Sequence, residues 1–145
     1  MDNISYSKIL VPTDGSAYSY KASGHAVYLA RELGATVYAL YVVNDNMAFH
    51  AGIHYSEGLT ELEKAGFLAT DKIRELCDGA GVKCEQSVIR GRPADVILRM
   101  AEEHGISCIV MGSIGMSSLE RILIGSVSEK VLHQAKCPVL LVRQK

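Results

Sequence analysis

The sequence contains no run approaching the roughly 18 uncharged apolar residues of a membrane span. Its opening stretch, Met1 to Lys8, has no basic segment feeding a long apolar one. A soluble, cytoplasmic protein without a membrane partner is therefore the expectation. Neither sign of charge is in excess: 15 Lys and Arg against 16 Asp and Glu leave a net charge of −1, with no basic cluster dense enough to neutralise several phosphates of a duplex. That argues against nucleic acid as a partner. The four cysteines, Cys77, Cys84, Cys108 and Cys137, include no C-x-x-C pair, and Cys84 and Cys108 sit in apolar, strand-like runs, so buried, reduced thiols are expected. No repeat, low-complexity tract or Pro/Gly/Ser linker divides the chain. With 145 residues, 48% of them hydrophobic, residues 1–145 read as one domain with a continuous core.

What is present is an alternation of two periodicities. Ser7 to Pro12 and the β-branched and aromatic run Thr36 to Val43 read as buried strands. Between them, Ala22, Ala26, Leu29, Ala30 and Leu33 recur at helical spacing, with Ser16 as N-cap and Gly34 as stop. A polar, irregular stretch is expected from Asn44 to Glu57, and a helix from Leu59 to Cys77 through Leu62, Ala65, Ala69, Ile73 and Leu76, closed by Gly79 and Gly81. The pattern then repeats as strand Val82 to Ile89, helix Pro93 to Glu103, strand Ser107 to Met111, a glycine-rich loop, helix Val127 to His133 and strand Val139 to Val142. Five strands alternating with four helices predict an α/β fold: a parallel sheet with helices on both faces, a doubly wound, Rossmann-like three-layer sandwich.

In such a sheet, ligands settle beyond the carboxyl ends of the strands where the winding reverses, which draws attention to the loops after the first and fourth strands. After the fourth, the chain reads Met111-Gly112-Ser113-Ile114-Gly115, nine residues from Met116 to Ile124, then Gly125-Ser126-Val127-Ser128-Glu129. Gly112 and Gly115 lack Cβ atoms, so backbone N–H groups can close around phosphate oxygens. Gly125-Ser126 opens a helix whose free amides and dipole favour an anion, with the hydroxyls of Ser126 and Ser128 as further donors. Ser126 and Glu129 equally form an S-x-x-E capping box that needs no ligand. Asp14, just past the first strand, suits either a ribose hydroxyl or a phosphate-bound Mg²⁺ reached through water, or simply the turn Asp14-Gly15-Ser16.

The spacing Gly112-x-x-Gly115, nine residues, Gly125-Ser126 resembles the ATP-binding signature of the universal stress protein family. The resemblance extends to Lys8 to Ser16 (KILVPTDGS), Leu40 to Val43 (LYVV), Gly91 to Leu98 (GRPADVIL) and Cys137 to Val142 (CPVLLV). It implies that Pro12, Thr13 and Asp14 line the adenosine end, with Val42 beside the adenine and Met111 beneath. It also implies that Gly112, Gly115, Gly125, Ser126, Val127 and Ser128 take the ribose and phosphates. Arg121, inside the nine-residue spacer, could reach the phosphates or be an ordinary exposed arginine, and Ser113 and Ser117 are open to the same two readings. Ile114 departs from the polar or basic residue that members often carry there. The implied cofactors are ATP and Mg²⁺, and the implied assembly is a homodimer paired through the edge strand Val139 to Val142.

Three functions follow: an ATP-dependent switch in stress response, a slow ATP-hydrolysing enzyme, or a ligand-free domain acting through protein contacts. The loop lacks the lysine of G-x-x-x-x-G-K-[ST] and shows no base beyond Asp14, so binding is easier to argue than turnover. No G-x-G-x-x-G follows the first strand, which disfavours a flavin or nicotinamide site. Asn44 to Glu57 is the expected nucleotide-responsive segment. His50 and His54 are four apart, yet Ala51-Gly52-Ile53 between them does not favour a metal-binding helix. Structural roles are expected for His25, His104 and His133, and for Met100 and Met111 in the core.

Overall fold

The computed structural model describes residues 3–44, 55–113 and 125–143. The elements are β1 (Lys8–Thr13), α1 (Ala17–Leu33), β2 (Thr36–Val43), α2 (Tyr55–Ala80), β3 (Cys84–Arg90), α3 (Pro93–Glu103), β4 (Cys108–Gly112), α4 (Ser126–Gln134) and β5 (Val139–Val142). All strand pairings are parallel, in the order β3-β2-β1-β4-β5. This is the expected open α/β sandwich, and β5 lies at an edge as anticipated.

Each face of the sheet carries its own core, because strands covered on both sides must be apolar on both sides. On one face α1 and α2 pack over Ile9, Val11, Val37, Ala39 and Val110; on the other, α3 and α4 pack over Leu10, Leu40, Ile109 and Met111. The central side chains Leu10, Leu40 and Ile109 are wholly buried, each stabilising the fold by about 1.5–3 kcal/mol.

The helices follow their sequence signals with instructive shifts. Ser16 caps α1, its hydroxyl accepting from the Ser19 N–H at 3.3 Å, and Gly34 ends it at φ +69°, a left-handed conformation that disfavours side chains. Leu33, expected on the buried face, is 52% exposed, while Ser19, Ser23 and Val27 are buried instead. Helix α2 starts at Tyr55, inside the stretch expected to be irregular, and runs through Gly79 to Ala80. Ala69 and Ile73 are buried as expected and Leu62 and Leu76 are partly so, but Ala65 is exposed and Gly66, Thr70 and Cys77 complete the buried stripe. The reason is close packing: a Cβ on Gly66 would meet Tyr41 Cδ1 at 2.7 Å, so the strand's tyrosine occupies the space a side chain would fill.

Cys77 and Cys108 are buried as expected; Cys84 and Cys137 are only partly so, because each lies near a sheet edge. Met100 and Met111 belong to the core. His104 ends α3 with its ring against Tyr38 at 5.6 Å. His25 and His133 are exposed on helices, and His50 and His54 lie outside the described residues.

Candidate functional site

The winding of the sheet reverses between β1 and β4, and there the two strands separate. Their pairing covers only Ile9–Cys108 and Leu10–Ile109, although β1 continues to Thr13 and β4 to Gly112. The cause is in the sequence. The Ser7 carbonyl accepts from Thr36 on the β2 side and the Lys8 carbonyl from Ser107 on the β4 side. Backbone polar groups alternate sides along a parallel strand, so those of Pro12 face β4. Proline has no N–H to offer, and the ladder cannot extend.

At the end of β1 a compact polar turn forms. Thr13 Oγ1 accepts from the Gly15 N–H at 3.1 Å, and Asp14 Oδ1 accepts from the Ser16 N–H at 2.9 Å. The Ser19 hydroxyl lies 3.0 Å from Asp14 Oδ1, from Thr13 Oγ1 and from the Ser16 carbonyl. Asp14 is therefore a turn residue, and the same bonds hold its half-buried carboxylate in place at the crevice.

At the end of β4, Ser113 anchors both ends of the intervening loop: its N–H donates to the Val142 carbonyl at 3.1 Å, and its carbonyl accepts from Gly125 at 2.6 Å. The N-cap of α4 is Gly125, with no side-chain capping bond, so Ser126 and Glu129 do not form the expected capping box. Glu129 makes the first intrahelical bond, to Gly125 at 2.8 Å. The amides of Ser126, Val127 and Ser128 precede it and have no intrahelical acceptor. The Ser126 side chain is exposed, whereas Ser128 is buried and donates its hydroxyl proton to the Gly112 carbonyl at 2.8 Å. This corrects the expectation that the Ser128 hydroxyl donates to a ligand: it fastens the helix to the strand, and only its amide remains available.

A cleft of about 630 Å³ lies between α1 and α2, lined by Thr13, Asp14, Ser16, Tyr20, Tyr41 and Lys72 among others. Tyr41 stands beside Thr13 in the sheet register. Burial, and secondarily the Asp14 charge, push its phenol above the ordinary value of 10.0. Of the residues picked from sequence, Thr13 and Asp14 line this cleft. Val42 and Met111 pack into the core of the opposite face, and buried Pro12 follows Leu10 to that side of β1 by strand alternation. Gly112, Ser113, Gly125, Ser126, Val127 and Ser128 gather across the β1/β4 crevice, while Gly115 and Arg121, with Ile114, lie outside the described residues. Sequence reasoning missed Ser19 and Tyr41. Only the hydroxyl one helical turn beyond Asp14 hinted at the first; nothing local signals the second, which reaches Asp14 across the sheet.

Among the described residues, no group of three or more His, Cys, Asp or Glu side chains could hold a metal ion, and no helix is long and apolar enough to cross a membrane. The family model for "Universal stress protein family" matches residues 5–143. The chain belongs to the universal stress protein family. A universal stress protein of Methanocaldococcus jannaschii, MJ0531, is 41% identical over 144 residues, covering 96% of this chain and 83% of the relative. The solved structure of protein MJ0577 from the same organism superposes with a TM-score of 0.86 at 30% identity, covering 97% of each chain. A universal stress protein in complex with cAMP (TM-score 0.73, 23% identity, 97% and 99% covered) and one from Archaeoglobus fulgidus in complex with dAMP (0.66, 23%, 96% and 98%) share the fold.

Proposed function

We propose that this universal stress protein, acting as one domain over residues 1–145, binds ATP with Mg²⁺ at the β1/β4 crevice and works as a nucleotide-dependent switch in the cytoplasm. The observation that carries this reading is the α4 N-terminus. Three successive amides without intrahelical acceptors are held beside a strand end that cannot pair onward, a ready site for phosphate oxygens. Gly112, Gly115, Gly125, Ser126 and the amides of Val127 and Ser128 would take the phosphates and ribose, with Ser113 setting the base of the loop. Pro12, Thr13, Asp14, Val42 and Met111 would frame the adenosine. The Asp14 carboxylate fits a ribose hydroxyl, or a phosphate-bound Mg²⁺ held through water. That related folds have been solved with cAMP and with dAMP supports an adenine nucleotide as the ligand class.

The sequence after β4 lacks the lysine of G-x-x-x-x-G-K-[ST] and offers no base beyond Asp14, so retention of ATP rather than rapid turnover is the expected behaviour. Assembly as a homodimer through β5 fits the same reading. That strand is at the sheet edge, Leu140 is 40% exposed, and an apolar hollow of about 310 Å³ lined by Leu29, Leu33, Pro138, Val139 and Leu140 adjoins it.

The test is the nucleotide content of freshly purified protein, followed by titration of the emptied protein with Mg-ATP. Stoichiometric adenine nucleotide or micromolar binding, abolished by Gly115→Val, supports the proposal. Absence of both would redirect the function to protein contacts.

A further inference from the structure

The hydroxyls beneath the turn that follows β1 converge on one carboxylate oxygen. Asp14 Oδ1 accepts from the Ser16 N–H at 2.9 Å and from the Ser19 hydroxyl at 3.0 Å. Ser19 Oγ in turn lies 3.0 Å from Thr13 Oγ1 and accepts from the Ser16 hydroxyl at 3.3 Å. A serine has one proton to give, and the Ser16 carbonyl, also 3.0 Å away, competes for it. That carbonyl already accepts from the Tyr20 N–H at 3.1 Å, and a carboxylate is the stronger acceptor. The Ser19 proton therefore belongs to Asp14.

Capping does not account for a hydroxyl at this position. The α1 cap runs from the Ser19 backbone N–H to the Ser16 side chain, a bond that any residue but proline would make at position 19. Packing does not account for it either, because the buried stripe of α1 continues through Ala22, Ala26, Val27 and Ala30, and alanine would fill the place as well. Ser19 is 6% exposed, too enclosed to touch a ligand itself, whereas Asp14 is half-buried at the crevice. What the hydroxyl does is set the carboxylate. Two donors on Oδ1 fix rotation about the Cβ–Cγ bond, and with it the direction in which the group meets a ligand.

We infer that Ser19 is a positioning residue for sugar recognition: it holds the Asp14 carboxylate toward the ribose hydroxyls and makes the crevice selective for ribonucleotides over nucleotides lacking those hydroxyls. This rests on the ATP reading of the crevice, in which Asp14 meets the ribose. An unheld aspartate spreads over several rotamers, and each ligand hydrogen bond must then offset the entropy lost in fixing it. A carboxylate held in advance presents its charge-assisted acceptor without that loss. A sugar that offers no donor then leaves the acceptor facing a carbon atom, which is how polar sites reject analogues lacking a hydroxyl.

The experiment titrates the emptied full chain with Mg-ATP and with the Mg complex of 2′,3′-dideoxy-ATP, and reads the ratio of the two dissociation constants. The unsubstituted protein should favour ATP by at least about tenfold, the size of one hydrogen bond to a charged group, and Asp14→Ala should bring the ratio to about one. Ser19→Ala should lower it to about threefold or less with dideoxy-ATP affinity unchanged. General loosening of the turn would instead weaken both ligands alike. In an Asp14→Ala background, Ser19→Ala should leave the ratio where it is. An undiminished ratio in Ser19→Ala, beside a collapsed one in Asp14→Ala, overturns the inference and leaves the ATP reading standing; absence of ATP binding by the unsubstituted chain overturns both. Ser19→Cys, close in size and a weaker donor, supplies the same comparison if alanine unfolds the turn.

Discussion

The two ends of the sheet are built from the same strands and do opposite things. At the amino end, β1 and β4 are locked together: the Ser107 hydroxyl donates to the Lys8 carbonyl at 2.8 Å and accepts the Lys8 N–H at 2.9 Å. At the carboxyl end the same two strands part at Pro12, and polar groups collect around the opening. The serine at that end, Ser128, does not rejoin the strands; it holds a helix terminus beside the gap. One end supplies stability, and the other gives up ladder hydrogen bonds and leaves a crevice with polar groups around it.

The comparison can be broken most severely from the middle. Ile109 is wholly buried in β4 between the two ends, so Ile109→Ala should lose about 3–4 kcal/mol in chemical denaturation and weaken both ends together. Ser128→Ala leaves the buried Gly112 carbonyl without its partner and loosens α4. A loss of about 1–3 kcal/mol is expected, and calorimetric titration should show at least about tenfold weaker ATP binding, the equivalent of 1.4 kcal/mol. Ser107→Ala sharpens the contrast, because it should cost about 1 kcal/mol while leaving nucleotide affinity unchanged. Equal loss of affinity in the two serine variants would show that the ends are not independent.

The smallest effect is electrostatic. The Tyr41 phenol titrates above 10.0 in the folded protein because of burial and then the Asp14 charge. Its neutral form is thus favoured by folding, and that contribution is complete below the unfolded value and lost as pH rises through the folded one. Thermal midpoints measured from pH 9 upward should fall less steeply in Tyr41→Phe than in the unsubstituted protein. Asp14→Asn should produce a weaker change in the same direction.

Most of the fold was legible in the sequence because its elements are encoded locally. Ser16 and Gly34 bracket α1, and the strand runs are apolar on both faces. The misreadings are where tertiary packing outweighed local pattern. On α2 the buried place expected of Ala65 went to Gly66, which admits Tyr41, and the first turn formed within a polar stretch. At the site, the sequence identified which segments converge, since glycine spacing and strand ends are linear features, but it misjudged individual hydroxyls. Ser126 was read as a cap when Gly125 holds that place, and the Ser128 hydroxyl as a ligand donor when it is spent on Gly112.

The sequence by itself determined the alternation of strands and helices, the family, and the glycine pattern after β4, because each depends on residue type and short-range spacing. The tertiary structure alone decided that Pro12 turns its missing donor toward β4, that Ser128 reaches back 16 residues to a strand carbonyl, and that Tyr41 fills the space over Gly66. The strand order sets which edge a backbone group faces, and helix-on-sheet packing sets which side chains meet; neither is specified by neighbours along the chain.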